Sequence, residues 1–356
     1  MHLALGNQSA RGSAGNLSIG GPLLPSAEDS LGRKGLAAAA VCLGVILLLG
    51  CLSNFLVVLI FARFRSLRTP INLILLNISL SDLLVCVFGT PLSFAASLRG
   101  RWLLSGAGCR WYGFANAFFG VVSLVSLSIL SYERYVMVLQ RHTKANVSSF
   151  QKSWLCIAIS WLYSLIWTLP PFFGWSSYGF EGPGITCSIT WHLRTPSNIS
   201  YVICLFVFCL LFPLLTMMYC YGRILQAIRL QISRFHLTSF QKREHHILFM
   251  VVAMVTCYLL CWMPYGIVSL IATFGKPGTI TPAVSIIPSI LAKVSTCVNP
   301  ILYVLLNKQF YECFTILVKC GPALQHMKTS FEFKSEPRFS DSRQGRRNSL
   351  ASNAEQ

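Results

Sequence analysis

Lys293 poses the sharpest chemical question in this chain. It lies about halfway along an apolar run that covers residues 280–305. A lysine at the centre of a bilayer costs at least about 2.5–3.5 kcal/mol. From that depth it cannot reach an interface as a terminal lysine does. Two roles accept such a cost. One is an ion-paired structural lysine. The other is a reactive amine, because burial disfavours the ammonium and leaves a neutral nucleophile suited to forming a Schiff base with an aldehyde. No hydrolytic triad or metal motif competes with these readings. Most of the 14 cysteines sit inside apolar runs, where they read as small hydrophobes, and none has zinc-site spacing. Cys109 and Cys187 stand apart from those.

The elements that must hold Lys293 follow from composition. The chain has 356 residues, 54% hydrophobic and only 11% charged, against roughly 25% charged in a soluble domain. Apolar runs recur at about 36–62, 71–97, 107–139, 153–173, 200–229, 244–273 and 280–305. Each is long enough to cross a bilayer, and in lipid only a helix satisfies its own backbone in one segment. The expected fold is therefore an all-α membrane protein, a bundle of seven transmembrane helices. Basic residues set its orientation. Arg63, Arg65, Arg68, Arg141, Lys144, Lys152, Arg223, Arg229, Arg234, Lys242 and Arg243 crowd one set of loops, while the opposite set is poorer. The positive-inside rule then places the N-terminus outside and the C-terminus in the cytoplasm. The net charge of +18 is explained in this way and does not imply a nucleic-acid partner.

Outside the bundle, residues 1–34 read as a disordered extracellular tail, 35–306 as the bundle, 307–320 as a short amphipathic eighth helix and 321–356 as a cytoplasmic tail. No cleavable signal peptide is evident. Phe310, Phe314, Leu317 and Val318 share one face of the eighth helix, and Cys320, or Cys313, is a candidate for palmitoylation. Sequons at Asn7, Asn16 and Asn198 fall on segments placed outside. Those at Asn77 and Asn146 carry no weight. Prolines inside several spans (Pro91, Pro170, Pro171, Pro213, Pro264, Pro300) supply kinks that neighbouring helices must re-satisfy. Arg346-Arg347-Asn348-Ser349 is a weak match to a basophilic kinase target.

Several short motifs carry a resemblance. Asn299-Pro300-Ile301-Leu302-Tyr303 resembles the NPxxY signature of rhodopsin-like receptors, and Glu133-Arg134-Tyr135 their (D/E)RY triplet. Cys261-Trp262-Met263-Pro264-Tyr265 is similar to their CWxPY, with Asn54, Asp82, Pro213 and Tyr221 at further family positions. A lysine at the distance of Lys293 before NPxxY resembles the retinal-binding lysine of opsins. The resemblance covers about residues 36–320 and is nearest to encephalopsins and teleost multiple tissue opsins. It resolves the two readings of Lys293 in favour of the reactive amine. It implies a receptor in the plasma membrane that binds retinal, 11-cis in the dark and all-trans after light, and activates a heterotrimeric G protein.

The same resemblance implies roles for other residues. Vertebrate visual pigments place a glutamate three residues after the first cysteine of the third helix; here that residue is the neutral Tyr112. The alternative counterion is a glutamate six residues before the cysteine of the second external loop, which is Glu181 ahead of Cys187. Cys109 and Cys187 would form a disulfide that holds this loop over the pocket. Trp262 and Tyr265 would line the pocket, Tyr112 would be a further retinal-binding residue, and Phe206 and Trp175 are additional aromatic candidates. At the cytoplasmic end Arg134 would pair with Glu133 and with Glu244, and breaking this latch would let the sixth helix swing out. Tyr221 and Tyr303 would then steady the open state. Asn307-Lys308-Gln309 matches the visual-opsin pattern and points to a G protein of the Gi/Go/transducin family, with arrestin and a receptor kinase acting at the tail. Two rival readings keep the fold. A receptor for a diffusible ligand is disfavoured by Lys293 and by Asn116, where amine receptors carry an aspartate. A retinal photoisomerase would not need Glu133-Arg134-Tyr135.

Overall fold

The computed structural model describes residues 27–139, 150–232 and 239–319. Seven helices are long and apolar enough to cross a membrane. We label them α1 (Leu31–Arg63), α2 (Pro70–Arg99), α3 (Gly106–Leu139), α4 (Phe150–Phe173), α5 (Pro196–Ala227), α6 (Leu248–Phe274) and α7 (Ala283–Leu306). A short helix, α8 (Lys308–Lys319), follows α7. Three spans begin with the same device. Thr69, Thr195 and Thr281 each accept from the backbone N–H three residues on, and a proline occupies the next position. The hydroxyl satisfies one orphan donor of the first turn, and proline fits there because its missing N–H would have had no partner.

The radial distribution of side chains is that of a membrane bundle. Large apolar residues such as Leu48, Leu52, Phe55, Leu155 and Leu162 lie on the outside, whereas Asn54, Asp82, Ser126, Lys293 and Asn299 are buried. A contiguous apolar exterior of this extent marks contact with lipid. Inside, polar side chains tie the helices together. Asn54 donates to the Thr296 carbonyl at 2.8 Å, Asn299 to Asp82 at 2.8 Å, and Trp161 to Asn77 at 2.8 Å.

Two spans are irregular where the sequence carries a proline. α2 breaks at Gly89, just ahead of Thr90-Pro91. α5 contains a π-bulge at Val207–Leu211, immediately before Pro213. In that wider register the amide facing the Phe208 carbonyl belongs to Pro213, which has no N–H. The Tyr163 hydroxyl of α4 donates to this carbonyl instead, at 2.8 Å.

The bundle is not purely helical. The loop between α4 and α5 folds as an antiparallel hairpin, β1 (Tyr178–Glu181) with β2 (Thr186–Ile189), in which Glu181 faces Thr186 and Phe180 faces Cys187. Gly182 and Gly184 turn the chain with φ of 58° and 79°, a region that costs glycine little. In α8, Phe310 is buried and Phe314 and Leu317 pack behind it, but Val318, expected on the same face, is exposed. Cys313 is buried too, and burial pushes its thiol up to about 11. That is a poor setting for acylation. Cys320, Asn7 and Asn16 lie outside the described residues.

Candidate functional site

Lys293 lies midway along α7 and is 9% exposed. Its Nζ donates to Asn116 Oδ1 of α3 at 2.9 Å and stands 5.2 Å from the centroid of the Tyr112 ring. A cation over an aromatic face is favourable, so α3 stabilises the amine with one neutral acceptor and one π-face. The Tyr112 hydroxyl hydrogen-bonds to Thr186 at 3.0 Å and to Ser93. Tyr112 is thus a fully buried post joining α2, α3 and the hairpin. The expected pocket position for Tyr112 needs adjusting. Its ring flanks the amine, but it is not among the residues that line the cavity.

The cavity beneath the hairpin is largely apolar. Lys293, Asn116, Glu181, Trp262, Tyr265 and Phe206 are among its walls. The Cys109–Cys187 disulfide, with Cα atoms 5.6 Å apart, pins β2 to the start of α3 and so fixes the roof. Trp262 is set by Ser295, which accepts from its indole at 3.0 Å, and by the ring of Tyr258 stacked at 5.6 Å. Gly120 gives Trp262 its space: a Cβ there would come within 3.2 Å of the indole ring. Trp175, a sequence candidate for the wall, instead bonds Ser200 and packs on Tyr201 away from the cavity.

Glu181 reaches the cavity from the end of β1. Its surroundings push the carboxyl up to about 7. Burial is the largest cause, opposed by hydrogen-bonding groups on Tyr265 and Ser188, by the charge of Lys293 and by Trp191. By surface area Glu181 is only half-buried, because the surface it retains is what lines the cavity. Trp191 organises this corner, its indole lying 3.1 Å from both Ser188 Oγ and the Tyr265 hydroxyl.

Two residues of the expected latch lie at the opposite end of α3. Glu133 and Arg134 are both buried. Glu133 pairs with Lys152 of α4 at 2.9 Å, a partner not foreseen from sequence. The side chain of Glu244 lies outside the described residues. Tyr135 packs its ring against Tyr219 of α5 at 5.8 Å. Tyr221 hydrogen-bonds Ser131 at 2.8 Å, Pro300 lies within α7, and Tyr303 is fully buried in the core that also holds Phe310. Asn307 caps α8, accepting from the Gln309 and Phe310 amides, and Lys308 stands 3.9 Å from Glu312. Asn198 is corrected outright as a glycan acceptor. It is 1% exposed, and its Nδ2 is spent on the Thr190 and Leu193 carbonyls.

Asn116, Trp191 and Lys152 are the residues that sequence reasoning underused. A signal for Asn116 existed, since it lies four residues after Tyr112 and so on the same helical face.

Comparison with known proteins agrees with this geometry. The family model described as 7 transmembrane receptor (rhodopsin family) matches residues 53–303. Opsin-3 of Mus musculus is 35% identical over 324 residues, covering 83% of this chain and 80% of its own length. Vertebrate ancient opsin of Salmo salar is 36% identical, covering 77% and 84%. The crystal structure of squid rhodopsin superposes with a TM-score of 0.74 at 25% identity, covering 87% of this chain and 94% of that one.

Proposed function

Because the chain belongs to the opsins, within the rhodopsin family of seven-transmembrane receptors, we propose that it is a light-activated receptor carrying retinal on Lys293. A signalling receptor of this family works through a G protein and is not an enzyme. One observation carries the proposal: a mid-span amine faces a largely apolar cavity, with Glu181 on its roof. The donor set suits a polyene aldehyde. Asn116 stands beside the Lys293 amine, and Trp262 and Phe206 offer the apolar walls a polyene needs.

Lys293 Nζ would hold retinal as a protonated Schiff base, the aldehyde oxygen leaving as water, and the bound group would supply visible absorption and a light-driven change from the 11-cis to the all-trans shape. Residues of the chain do the rest. Glu181 balances the buried positive charge. The Cys109–Cys187 bridge and the Tyr112 post keep the hairpin closed and exclude water. Trp262, sandwiched between Gly120 and Ser295, is the residue that a change in cavity shape must displace. α6, which carries Trp262, then moves relative to α3. Energy stored in the cavity is thereby spent on shifting a two-state equilibrium at the Arg134 end.

We place the N-terminus outside and the Arg134 end in the cytoplasm of a plasma-membrane protein, on the loop-charge bias. A G protein of the Gi/Go/transducin family would dock between α3, α5 and α6, beside Asn307-Lys308-Gln309, and arrestin and a receptor kinase would act at the tail. The test is direct. The full chain is expressed, given 11-cis-retinal in darkness, and its spectrum recorded beside Lys293→Ala. A visible band present only in the wild type is expected. No band in folded wild-type protein would return the chain to the class of diffusible-ligand receptors.

A further inference from the structure

We propose that Asn116 is the hydrogen-bond acceptor of the single N–H that remains on the Lys293 nitrogen once retinal is attached, so that two residues divide the stabilisation: Asn116 orients the nitrogen and Glu181 supplies the charge. This rests on the retinal reading above and adds to it a residue which that reading leaves unused.

The geometry is specific. Asn116 Oδ1 lies 2.9 Å from Lys293 Nζ. Its amide has one sensible orientation, because Nδ2 donates to the Tyr112 carbonyl at 2.8 Å. A flipped amide would place an NH₂ against the amine, donor facing donor, and would lose the bond to Tyr112. Gly89 keeps the amide there. A Cβ on residue 89 would fall 2.5 Å from Asn116 Oδ1 and 2.7 Å from Nδ2. The φ of Gly89 is −108° with a helical ψ, which an L-residue adopts freely. The backbone therefore does not require glycine at this position, whereas the Asn116 side chain does. Asn116 also lines the cavity, unlike Tyr112.

The chemical consequence is a separation of tasks. An ammonium has three N–H donors and can serve several acceptors, but the linked nitrogen has one. The nearest acceptor aimed at it is the neutral Oδ1, which fixes direction without contributing a formal charge. Glu181, on a different element, can then change protonation state without letting go of the nitrogen.

The experiment uses the full-length pigment reconstituted with 11-cis-retinal. Resonance Raman spectra in H₂O and D₂O read the strength of the N–H hydrogen bond through the isotope shift of the C=N stretch. Asn116→Ala should reduce that isotope shift and move the visible maximum to longer wavelength. Asn116→Asp should move the maximum to shorter wavelength. In the Glu181→Gln background it should also raise the pH at which the visible band is lost, since the charge is then placed on the acceptor itself. Gly89→Ala, which keeps Asn116 but crowds its amide, should change the isotope shift in the same direction as Asn116→Ala and decides the matter if the latter forms no pigment. In retinal-free protein labelled with ¹⁵N-lysine, the Lys293 resonance should move in Asn116→Ala. Unchanged isotope shifts in Asn116→Ala and Gly89→Ala pigments would overturn the proposal and leave the retinal reading intact. Absence of any visible band in the wild type would sink that reading instead.

Discussion

Replacing Glu181 with glutamine tests the electrostatics most directly. The substitution keeps shape and hydrogen-bonding capacity but removes the charge. Glu181 is fixed by strand pairing opposite Thr186, whose hydroxyl bonds Tyr112, whose ring is 5.2 Å from Lys293 Nζ. Acid and amine therefore share one small, tied assembly. The charge of Lys293 is among the influences acting on Glu181, and an opposite charge close by moves a titration by about 1–3 pH units. Glu181→Gln should therefore lower by about 2 units the pH at which the visible band of the dark pigment gives way to a near-ultraviolet one. The assay is a spectrophotometric pH titration of purified pigment. The wild type has its own signature. Its carboxyl is pushed up to about 7, so the carboxylate form, the one that can act as counterion, grows in as pH rises through that value. Wild-type spectra should thus differ between pH 6 and pH 8, and the glutamine variant should lack this step. A variant titrating at the wild-type midpoint would refute the counterion assignment.

Other perturbations follow from the same geometry. Because its folded-state carboxyl is raised above the ordinary value, Glu181 favours the folded state below about pH 4, and that contribution is lost as pH rises through about 7. Melting of the retinal-free protein should shift downward between pH 5 and pH 8, and Glu181→Gln should flatten that slope. Cys109→Ser removes a bridge of sequence separation 78, for which chain entropy gives as much as about 4.5 kcal/mol; a sharp fall in pigment yield after detergent extraction is expected. Lys152→Met frees Glu133 from a half-exposed ion pair, of a kind worth at most about 1 kcal/mol. Light-independent G-protein activation should therefore change by no more than about fivefold in a nucleotide-exchange assay. Gly120→Leu should abolish the visible pigment, since even a Cβ at that position already presses on Trp262.

The elements were far more legible in the sequence than their couplings. Seven apolar runs could be counted because a bilayer demands both length and apolarity, and each run reappears as a span within a few residues. Lys293 stood out because a charge in such a run is costly. The Cys109–Cys187 bridge followed from the family resemblance and is present. The hairpin was missed because a membrane composition argues for helices and says little about a short loop. The Lys152–Glu133 pair was missed because Lys152 reads as one more positive-inside residue. Asn198 shows the converse failure. Its sequon is a local pattern, whereas its burial depends on carbonyls of the preceding loop, Thr190 and Leu193, folding over it. Asn116 was noticed only for the charge it lacks. Its value lies in where Oδ1 points, and that is decided by Tyr112 and Gly89 on two different helices.

The π-bulge of α5 has a consequence for how this sequence can change over generations. Tyr163 satisfies a carbonyl that is orphaned only because residue 213 is proline. The worth of the tyrosine is therefore conditional. With an alanine at 213 the helix supplies its own donor and position 163 becomes free to drift; with Pro213 in place, losing the hydroxyl leaves a polar group bare in hydrocarbon. Of the two orders in which a lineage could lose both residues, one passes through a handicapped intermediate and the other does not. Two positions fifty residues apart, neither touching the cavity, are thereby bound to a shared mutational history.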